Sequence, residues 1–501
     1  MNTLRKFQSD EWFALRAQFF RGGAFALAGQ VIKFCLQLAS VIVLARLLTP
    51  EDYGMFGIGI ALLGFINLFA NMGLPMVTIQ RMDITQAQVS NLFWINTAMG
   101  IGAALILAVA APLVGLAYCE PRLVSMLILM SLCCIAGGIS AQPQALLKRD
   151  MRFKALVSID VVAMIIGVIV AFTAAWWCRV GYWSLVYMHL TIITISAGGA
   201  LWACRWRPSM PSSNSDTCSL VASGRHLTIA AALSYASQNV DTLLIGWARG
   251  ARELGFYNKA YQLLLLPSLQ ITLPISGVAM PFLSKAQING EQHPRHHAII
   301  ILLTASLGMP FVTFLFVDAE NVIKLVLGSQ WMGSVPIFRA LAPAAFVDTF
   351  LITFNWVLIS LGQTERLFRM IFVVTVLTVV GFVIGLSWGA LGVAVAFSAV
   401  RVGSFLPILI YVCTHSQLNF FNVLRVLLRP GFASVMAAGG LWTIASLLPL
   451  TENIVLSLMA DAVIFGCMYL SLWVALPGGM RILKNIIGLM PVLKQGGTFA
   501  N

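Results

Sequence analysis

Long apolar runs of about 20 residues follow one another along most of this chain. A helix of about 20 residues is long enough to cross the hydrocarbon core of a bilayer. The runs are continuous and do not alternate in polarity, which favours membrane helices over the strands of a membrane barrel. The pattern therefore predicts an all-α integral membrane protein with about 14 transmembrane helices.

Short polar stretches divide the apolar runs into individual spans. The spans are predicted at Ala24–Ala45, Gly54–Ala70, Leu92–Val114, Leu123–Leu146, Leu156–Trp177, Tyr182–Ala203, Leu227–Trp247, Tyr257–Val278, Ala298–Val317, Pro336–Leu361, Phe368–Trp388, Leu391–Val412, Gly431–Leu448 and Ile454–Ala475. The weakest of these is Tyr257–Val278, which holds a lysine, two glutamines and two prolines.

A short internal repeat organises these spans into two halves. Asp52–Phe56 resembles Glu253–Tyr257, 201 positions further on (253 − 52 = 201), and each copy follows the first span of a half. Six spans separate the copies, so the two halves are parallel repeats with six helices each. Glycines 181 and 389 lie in matching turns between the fifth and sixth spans of each half.

The repeat and the polar segments together predict the domain organisation. Its parts are an interfacial N-terminus (1–23), a first six-helix lobe (24–203), a cytoplasmic linker (204–225), a second six-helix lobe (226–412), two further helices (413–476) and a cytoplasmic tail (477–501).

Basic residues in the loops predict the orientation. Most of them, including the cluster Lys148–Lys154, lie on one set of loops, and only a few, such as Arg122 and Arg179, lie on the opposite set. The richer side is expected to be cytoplasmic, which places both termini inside. The net charge of +13 is therefore a topology signal and not a nucleic-acid-binding patch.

Four basic residues lie inside predicted spans, namely Lys33, Lys259, Arg339 and Arg401. A Lys or Arg at the bilayer centre costs about 2.5–3.5 kcal/mol on insertion scales. We therefore expect these side chains to line a water-filled cavity between the lobes that binds an anionic substrate.

Polar side chains extend the candidate site along the first span. Gln30 and Gln37 lie three residues before and four residues after Lys33, which places all three on one helical face. We include both glutamines among the predicted substrate-binding residues.

Four acids also lie within spans. An acid in a polar cavity can bind Na⁺ or a proton, so Asp241 and Asp348 are predicted ion-coupling residues. Asp348 is nine residues beyond Arg339 (348 − 339 = 9), too far along a helix for a direct pair. Asp160 and Asp461 are interpreted as structural partners of cations.

Nothing in the chain predicts an enzyme. There is no P-loop, and the G-x-S-x-G string at 385–389 ends an apolar run instead of linking a strand to a helix. No metal site or cofactor is predicted.

Several strings resemble one known family. They are Leu44–Gly54, Gly73-Leu74 followed by Ile79-Gln80, Leu92–Asn96, Gln142 with Ala145–Phe153, and Gly181–Val186. In these strings the chain is similar to lipid-linked oligosaccharide flippases of the multidrug/oligosaccharidyl-lipid/polysaccharide exporter superfamily. The likeness is to the polysaccharide transporter branch, of colanic-acid and teichuronic-acid type.

This resemblance implies a function that composition alone does not give. It implies alternating access that flips an undecaprenyl-pyrophosphate-linked polysaccharide repeat unit from the cytoplasmic to the periplasmic leaflet of the bacterial inner membrane. Glycosyltransferases and a polysaccharide polymerase would be the partners. The last two helices, residues 431–475, would hold the lipid tail.

Two other functions remain open from the sequence. A cation-coupled multidrug antiporter would depend on the acids Asp241 and Asp348, but the excess of cations disfavours it. A membrane-embedded glycosyltransferase or polymerase would need a large loop with paired carboxylates, and the longest loop predicted here has about 20 residues.

Overall fold

The computed structural model describes residues 29–71, 73–81, 84–211, 235–236, 238–264, 275–276, 294–416, 418–447 and 453–476. Within these ranges the chain is α-helical with short turns and contains no strand. Ten helical segments there are long and apolar enough to cross a membrane. The predicted all-α membrane fold is confirmed. The predicted interfacial N-terminus, the C-terminal tail and most of the linker lie outside the described residues.

The chain divides into two compact units, Met1–Gly255 and Phe256–Asn501. The described helices of unit 1 are α1 (Gly29–Leu47), α2 (Pro50–Asn71), α3 (Leu74–Gln80), α4 (Gln86–Ala117), α5 (Arg122–Arg149), α6 (Phe153–Trp176), α7 (Trp183–Cys204) and the first part of α8 (238–264).

Glycines let the central helices of unit 1 approach each other closely. A Cβ on Gly138 of α5 would overlap the carbonyl oxygen of Asn96 on α4, and one on Gly100 would approach the carbonyl of Cys134. Small residues permit such backbone contact between membrane helices. The α4–α5 pair therefore forms the centre of unit 1, with α2, α3 and α7 packed on α5.

Unit 2 contains the rest of α8 and seven further described helices. They are α9 (Pro294–Val317), α10 (Ala319–Val326), α11 (Ser334–Ser360), α12 (Thr364–Gly385), α13 (Gly389–His415), α14 (Phe420–Leu447) and α15 (Ile454–Ala475). Its main apolar core joins α9, α11, α13 and α14 through buried side chains such as Phe350, Phe354 and Leu409. Residues of α14 and α15 form a second cluster with Leu302 of α9.

Most predicted span limits lie within a few residues of the observed helix ends, and three differences are instructive. Helix α14 begins at Phe420, before the predicted start at Gly431. Arg425 and Arg429, whose charges suggested a loop, lie on its first turns. The short amphipathic helix α10 was not predicted. Helix α8 runs through the loop that was predicted between the spans Leu227–Trp247 and Tyr257–Val278. Within that segment Gly250 has φ 84°, which departs from regular helical conformation.

The turns predicted at the two matching glycines are confirmed. Gly181 has φ 58° and lies between α6 and α7, and Gly389 has φ 75° and is the first residue of α13, where the turn after α12 ends. Glycine adopts such positive φ angles without the steric cost that a Cβ imposes. Each turn thus reverses the chain between two consecutive helices.

Candidate functional site

The strings that carry the family resemblance hold helix ends together in unit 1. Thr49 and Asp52 form a reciprocal capping box at the start of α2: the backbone N–H of Thr49 donates to the Asp52 carboxylate (2.9 Å), and that of Asp52 donates to the Thr49 hydroxyl (3.2 Å). The second carboxylate oxygen of Asp52 accepts the N–H of Tyr182 (2.8 Å). A Cβ on Gly181 would lie 2.8 Å from that oxygen. Two distant strings therefore meet at one carboxylate.

A second contact, in the interior of unit 1, joins Gln142 of one string to Thr78, which lies between the strings Gly73-Leu74 and Ile79-Gln80. The hydroxyl of Thr78 on α3 donates to Oε1 of Gln142 on α5 (2.8 Å), and both residues are fully buried. Arg152, just after α5, donates to the carbonyl of Ala203 at the end of α7 (2.7 Å). These family strings stabilise the fold of the unit, and they do not identify a substrate site.

The predicted site residue Lys33 forms an ion pair within unit 1. Its ammonium on α1 donates to Oδ2 of Asp160 on α6 (2.6 Å). The two side chains are 31% and 39% exposed. Asp160 is thus found as a partner of a cation, in the role that the sequence suggested. Of the neighbouring glutamines, Gln37 is half-buried and Gln30 is exposed.

Arg401 of α13 forms the matching ion pair within unit 2. Its Nε lies 3.7 Å from Oδ1 of Asp348 on α11, and its guanidinium carbon lies 5.2 Å from the ring centroid of Phe397. The first distance allows charge attraction but is too long for a hydrogen bond. A guanidinium over an aromatic ring gains further cation–π attraction. The predicted ion-coupling acid Asp348 therefore lies beside a predicted substrate-binding cation.

This second pair lies at mid-helix. Arg401 is 12 residues from the start of α13 (401 − 389) and 14 from its end (415 − 401), or about 18 and 21 Å along the axis. Asp348 is likewise near the middle of α11. The side chains are 32% and 30% exposed, so the pair is partly accessible near the middle of two helices that are long and apolar enough to cross a membrane.

The other two predicted cations occupy different environments. Lys259 is buried, with 5% of its surface exposed, and donates to Oε1 of Gln262 one turn later on the same helix (3.0 Å). Arg339 is exposed and lies in the second turn of α11, where a long side chain can extend toward the helix end. Among the described residues of unit 2, Arg401 lies against one of the predicted acids, Asp348.

The second predicted ion-coupling acid, Asp241, is buried within unit 1 at 6% exposure. Its Oδ1 accepts the backbone N–H of Thr242 (2.7 Å). Asp241 and Asp348 belong to different units, and Asp348 lies against the guanidinium of Arg401.

The structure also reveals a buried acid that the sequence did not single out. Asp318 follows α9 directly, is 8% exposed and belongs to a segment that looks like an ordinary polar loop because Glu320 and Asn321 follow it. Burial alone distinguishes it, and no spacing in the sequence signals that burial. Among the described residues, no cluster of three or more His, Cys, Asp or Glu side chains could hold a metal ion.

Comparisons with known proteins agree with this architecture. The family described as "Polysaccharide biosynthesis protein" matches residues 43–336, which is more than half of the chain. The lipopolysaccharide biosynthesis protein WzxC of Escherichia coli (strain K12) is 22% identical over 391 residues, covering 78% of this chain and 80% of that protein. The teichuronic acid biosynthesis protein TuaB of Bacillus subtilis (strain 168) is 24% identical over 383 residues, covering 74% and 76%.

The fold is also that of a solved transporter. The lipid II flippase MurJ, in an inward closed conformation, superimposes with a TM-score of 0.71 at 14% identity, covering 89% of this chain and 97% of that one. The described helices, the family strings that join them and this shared fold lead to one assignment. The chain belongs to the polysaccharide biosynthesis protein family and is a multi-pass, all-helical membrane protein with a transporter fold.

Proposed function

We propose that this protein is a flippase that moves an undecaprenyl-pyrophosphate-linked polysaccharide repeat unit from the cytoplasmic to the periplasmic leaflet of the bacterial inner membrane. The observation that carries the proposal is the family match over residues 43–336 on a transporter fold. The two relatives described above are named as biosynthesis proteins of lipopolysaccharide and of teichuronic acid, which favours a polysaccharide precursor over a drug as the cargo.

The physical task of such a protein is to replace the hydration of a charged head group. Moving a pyrophosphate and its sugars through hydrocarbon without compensation is prohibitively costly. The lipid tail can remain in the bilayer, so only the head group needs a polar route. Alternating access of the two halves would open that route to one side at a time. No covalent step is required, and the protein is proposed to act as a transporter and not as an enzyme.

Arg401 is the proposed anion-binding group of the second half. It lies at mid-helix, it is partly exposed, and a guanidinium can bind phosphate oxygens through two N–H donors. Asp348 would neutralise it while no substrate is bound. Arrival of an anion then favours protonation or displacement of the carboxylate, which gives a route for coupling transport to a cation.

Lys33 and Asp160 would act in the same way in the first half. Their charges are paired at 2.6 Å and remain about one-third exposed, so an incoming anion can compete for the ammonium. Lys259 and Arg339 remain predicted contributors, with Gln30 and Gln37 as neutral hydrogen-bonding groups for the sugars. Asp241 remains a predicted ion-coupling residue.

The proposal is tested by the lipid-linked intermediate that a deletion strain accumulates. We expect the undecaprenyl-linked repeat unit to collect in the cytoplasmic leaflet and polymer export to stop, and wild-type protein to restore export. Arg401→Gln should reduce export at least tenfold while the protein remains in the membrane.

A matched control is available on the neighbouring helix. Arg369 pairs with Glu365 on the exposed start of α12, so Arg369→Gln removes an ion pair of the same kind away from mid-helix and should leave export unchanged. A deletion strain that exports polymer normally, or one that changes only in drug sensitivity, would contradict the proposed function. The second outcome would favour the multidrug antiporter instead.

A further inference from the structure

Asp318 is a buried carboxylate with an unused oxygen. It lies between α9 and α10 at 8% exposure, and its Oδ1 accepts a hydrogen bond from Nδ2 of Asn321 (3.2 Å). Its Oδ2 is buried and has no hydrogen-bond partner. Although Asp318 occupies the N-cap position of α10, its side chain does not cap the helix. A carboxylate usually accepts backbone N–H groups at that position, so this oxygen is available for another ligand.

A second buried carboxylate lies close enough to act on the first. Asp461 of α15 is 4% exposed, and its Oδ2 accepts a hydrogen bond from Ser457 (3.2 Å). Helices α10 and α15 pack against each other. Burial, and then the charge of Asp461, raise the pKa of Asp318 to about 6, while the hydrogen bond from Asn321 opposes that rise. The two acids therefore repel each other when both are ionised.

No basic side chain among the described residues compensates this charge. Asp160 and Asp348 each have a cationic partner, but neither Asp318 nor Asp461 forms a salt bridge. The charged groups on the helices packed around the pair are exposed or lie far along their helices. Those whose side chains the structure describes are Glu320 and Lys324 of α10, Arg339 and Asp348 of α11, His297 near the start of α9, and Arg425 and Arg429 on the first turns of α14.

We propose that Asp318 and Asp461 bind one exchangeable monovalent cation, H⁺ or Na⁺, where α10 packs against α15. Two buried carboxylates without a cation are unfavourable, and a single positive charge between them removes most of the repulsion. Oδ2 of Asp318, the carboxylate of Asp461 and the Ser457 hydroxyl supply oxygen atoms only. Hard cations such as Na⁺ prefer oxygen ligands, and the same two carboxylates can share a proton.

Occupancy of this site would fix α15 in place. The helix already contacts α9 through a hydrogen bond from the Tyr469 hydroxyl to the carbonyl of Ser306 (3.0 Å). A bound cation adds a second attachment nearer the start of α15, whereas an empty, doubly ionised site pushes α15 from α10. A role of this ion in transport rests on the proposed flippase function, but its binding does not.

The test measures binding and needs no transport assay, so its failure is separate from failure of the flippase proposal. The full-length protein is purified as wild type, Asp318→Asn, Asp461→Asn and the control Glu320→Gln, which changes an exposed acid on the same short helix. Thermal unfolding is followed from pH 4.5 to 8, and at pH 8 in NaCl against choline chloride of equal ionic strength. Binding of ²²Na⁺ is measured in parallel.

For the proton, the expected sign follows from the raised pKa of Asp318. The protonated form of Asp318 stabilises the folded protein. This contribution is complete below the usual pKa of an aspartate and is lost as pH rises through the raised pKa of Asp318, about 6. The wild type and Glu320→Gln should therefore lose thermal stability over that range, and the two Asn variants should respond less. If Na⁺ is the ligand, NaCl should raise the unfolding temperature of the wild type and Glu320→Gln at pH 8, with about one ²²Na⁺ bound per chain, and the Asn variants should lose both effects.

A milder variant keeps the test decisive if an Asn variant does not fold. Ser457→Ala removes one oxygen ligand and should weaken cation binding severalfold while both carboxylates remain. The proposal is overturned if the wild type responds to neither pH nor Na⁺. It is equally overturned if Asp318→Asn, Asp461→Asn or Ser457→Ala responds as the wild type does.

Discussion

At the scale of single residues, the charges inside the predicted spans are balanced by partners distant in sequence. Lys33 and Asp160 are 127 positions apart (160 − 33), and Arg401 and Asp348 are 53 apart (401 − 348). Each pair is about one-third exposed. Exposed ion pairs contribute only about 0–1 kcal/mol to stability. Each pair therefore neutralises the charge of its Lys or Arg, yet the pair is weak enough for an incoming anion to replace the carboxylate. A site that must bind and release an anion requires this.

Neutralising Lys33 alone, and then Lys33 together with Asp160, distinguishes a structural role of Lys33 from a role in substrate binding. Lys33→Gln alone leaves Asp160 without its cation and should lower the free energy of unfolding by about 1 kcal/mol. Lys33→Gln with Asp160→Asn removes both charges and should restore near-wild-type stability. If the ammonium binds the head group, the double variant remains stable yet exports little polymer.

The measurements for this comparison are thermal unfolding of the purified variants and polymer export in the deletion strain. Asp160→Asn alone is the control, because it retains the cation and should retain more export than the double variant. Normal export by the double variant would remove Lys33 from the proposed site and leave it as half of a structural pair.

The sequence identified these cations and acids but not their pairing. Hydropathy shows that a charge lies inside a span, and helical spacing shows which neighbours share its face. Neither shows which other helix that face contacts, so the partner of Lys33 could not be predicted. Asp318 was missed for a related reason, since its burial depends on the packing of α15 more than 100 residues later.

At the scale of helices, the glycine of each repeat copy packs against a backbone carbonyl just before the other copy, within unit 1. A Cβ on Gly54 would overlap the carbonyl oxygen of Ala251, and a Cβ on Gly255 would overlap that of Pro50. Adding the repeat offset of 201 to residues 50 and 54 gives 251 and 255, so the two contacts are equivalent. The repeat found in the sequence therefore marks a quasi-symmetric crossing of α2 with α8.

We expect Gly54→Ala or Gly255→Ala to destabilise this crossing. The added methyl would meet backbone, which cannot rotate away as a flexible side chain can, so the helices must separate at a cost of about 1–3 kcal/mol or more. Thermal unfolding of the purified variants measures that loss. The equivalence of the two contacts predicts losses of similar size.

Gly102→Ala on α4 is the matched control for these variants. A Cβ there meets nothing within 4 Å, and alanine is favoured over glycine in a helix interior by about 1 kcal/mol. This control should match or exceed wild-type stability. Unfolding temperatures of Gly54→Ala and Gly255→Ala equal to that of Gly102→Ala would show that the crossing is looser than described.

Helix positions were more predictable than helix ends. The last span was predicted at Ile454–Ala475, where α15 is found, because polar residues flank its apolar run. Helix α14 extends further toward its N-terminus than predicted, since Arg425 and Arg429 continue the helix beyond the apolar segment. Hydropathy locates the part of a helix that suits hydrocarbon, whereas hydrogen bonding and capping decide where the helix ends.

At the scale of the whole molecule, orientation in the membrane remains a prediction from charge. The loops rich in Lys and Arg should be cytoplasmic, so the opposite turns 118–121 and 177–182 should face the periplasm. Each of these turns contains a natural exposed cysteine, Cys119 and Cys178 respectively. The chain therefore provides its own reporters for a measurement of topology.

We expect Cys119 and Cys178 to react with a membrane-impermeant maleimide in cells whose outer membrane has been opened. Each is tested as the single remaining cysteine of an otherwise cysteine-free chain. The control is Gln363→Cys in the same background, placed in the turn between α11 and α12 that should be cytoplasmic and should react only after the inner membrane is permeabilised. Labelling of Gln363→Cys from outside, with protection of Cys119, would invert the predicted topology. In that case the turns predicted to face the periplasm would face the cytoplasm, and the cargo would have to enter on their side. The measurement therefore tests the orientation of the protein and the direction of transport together.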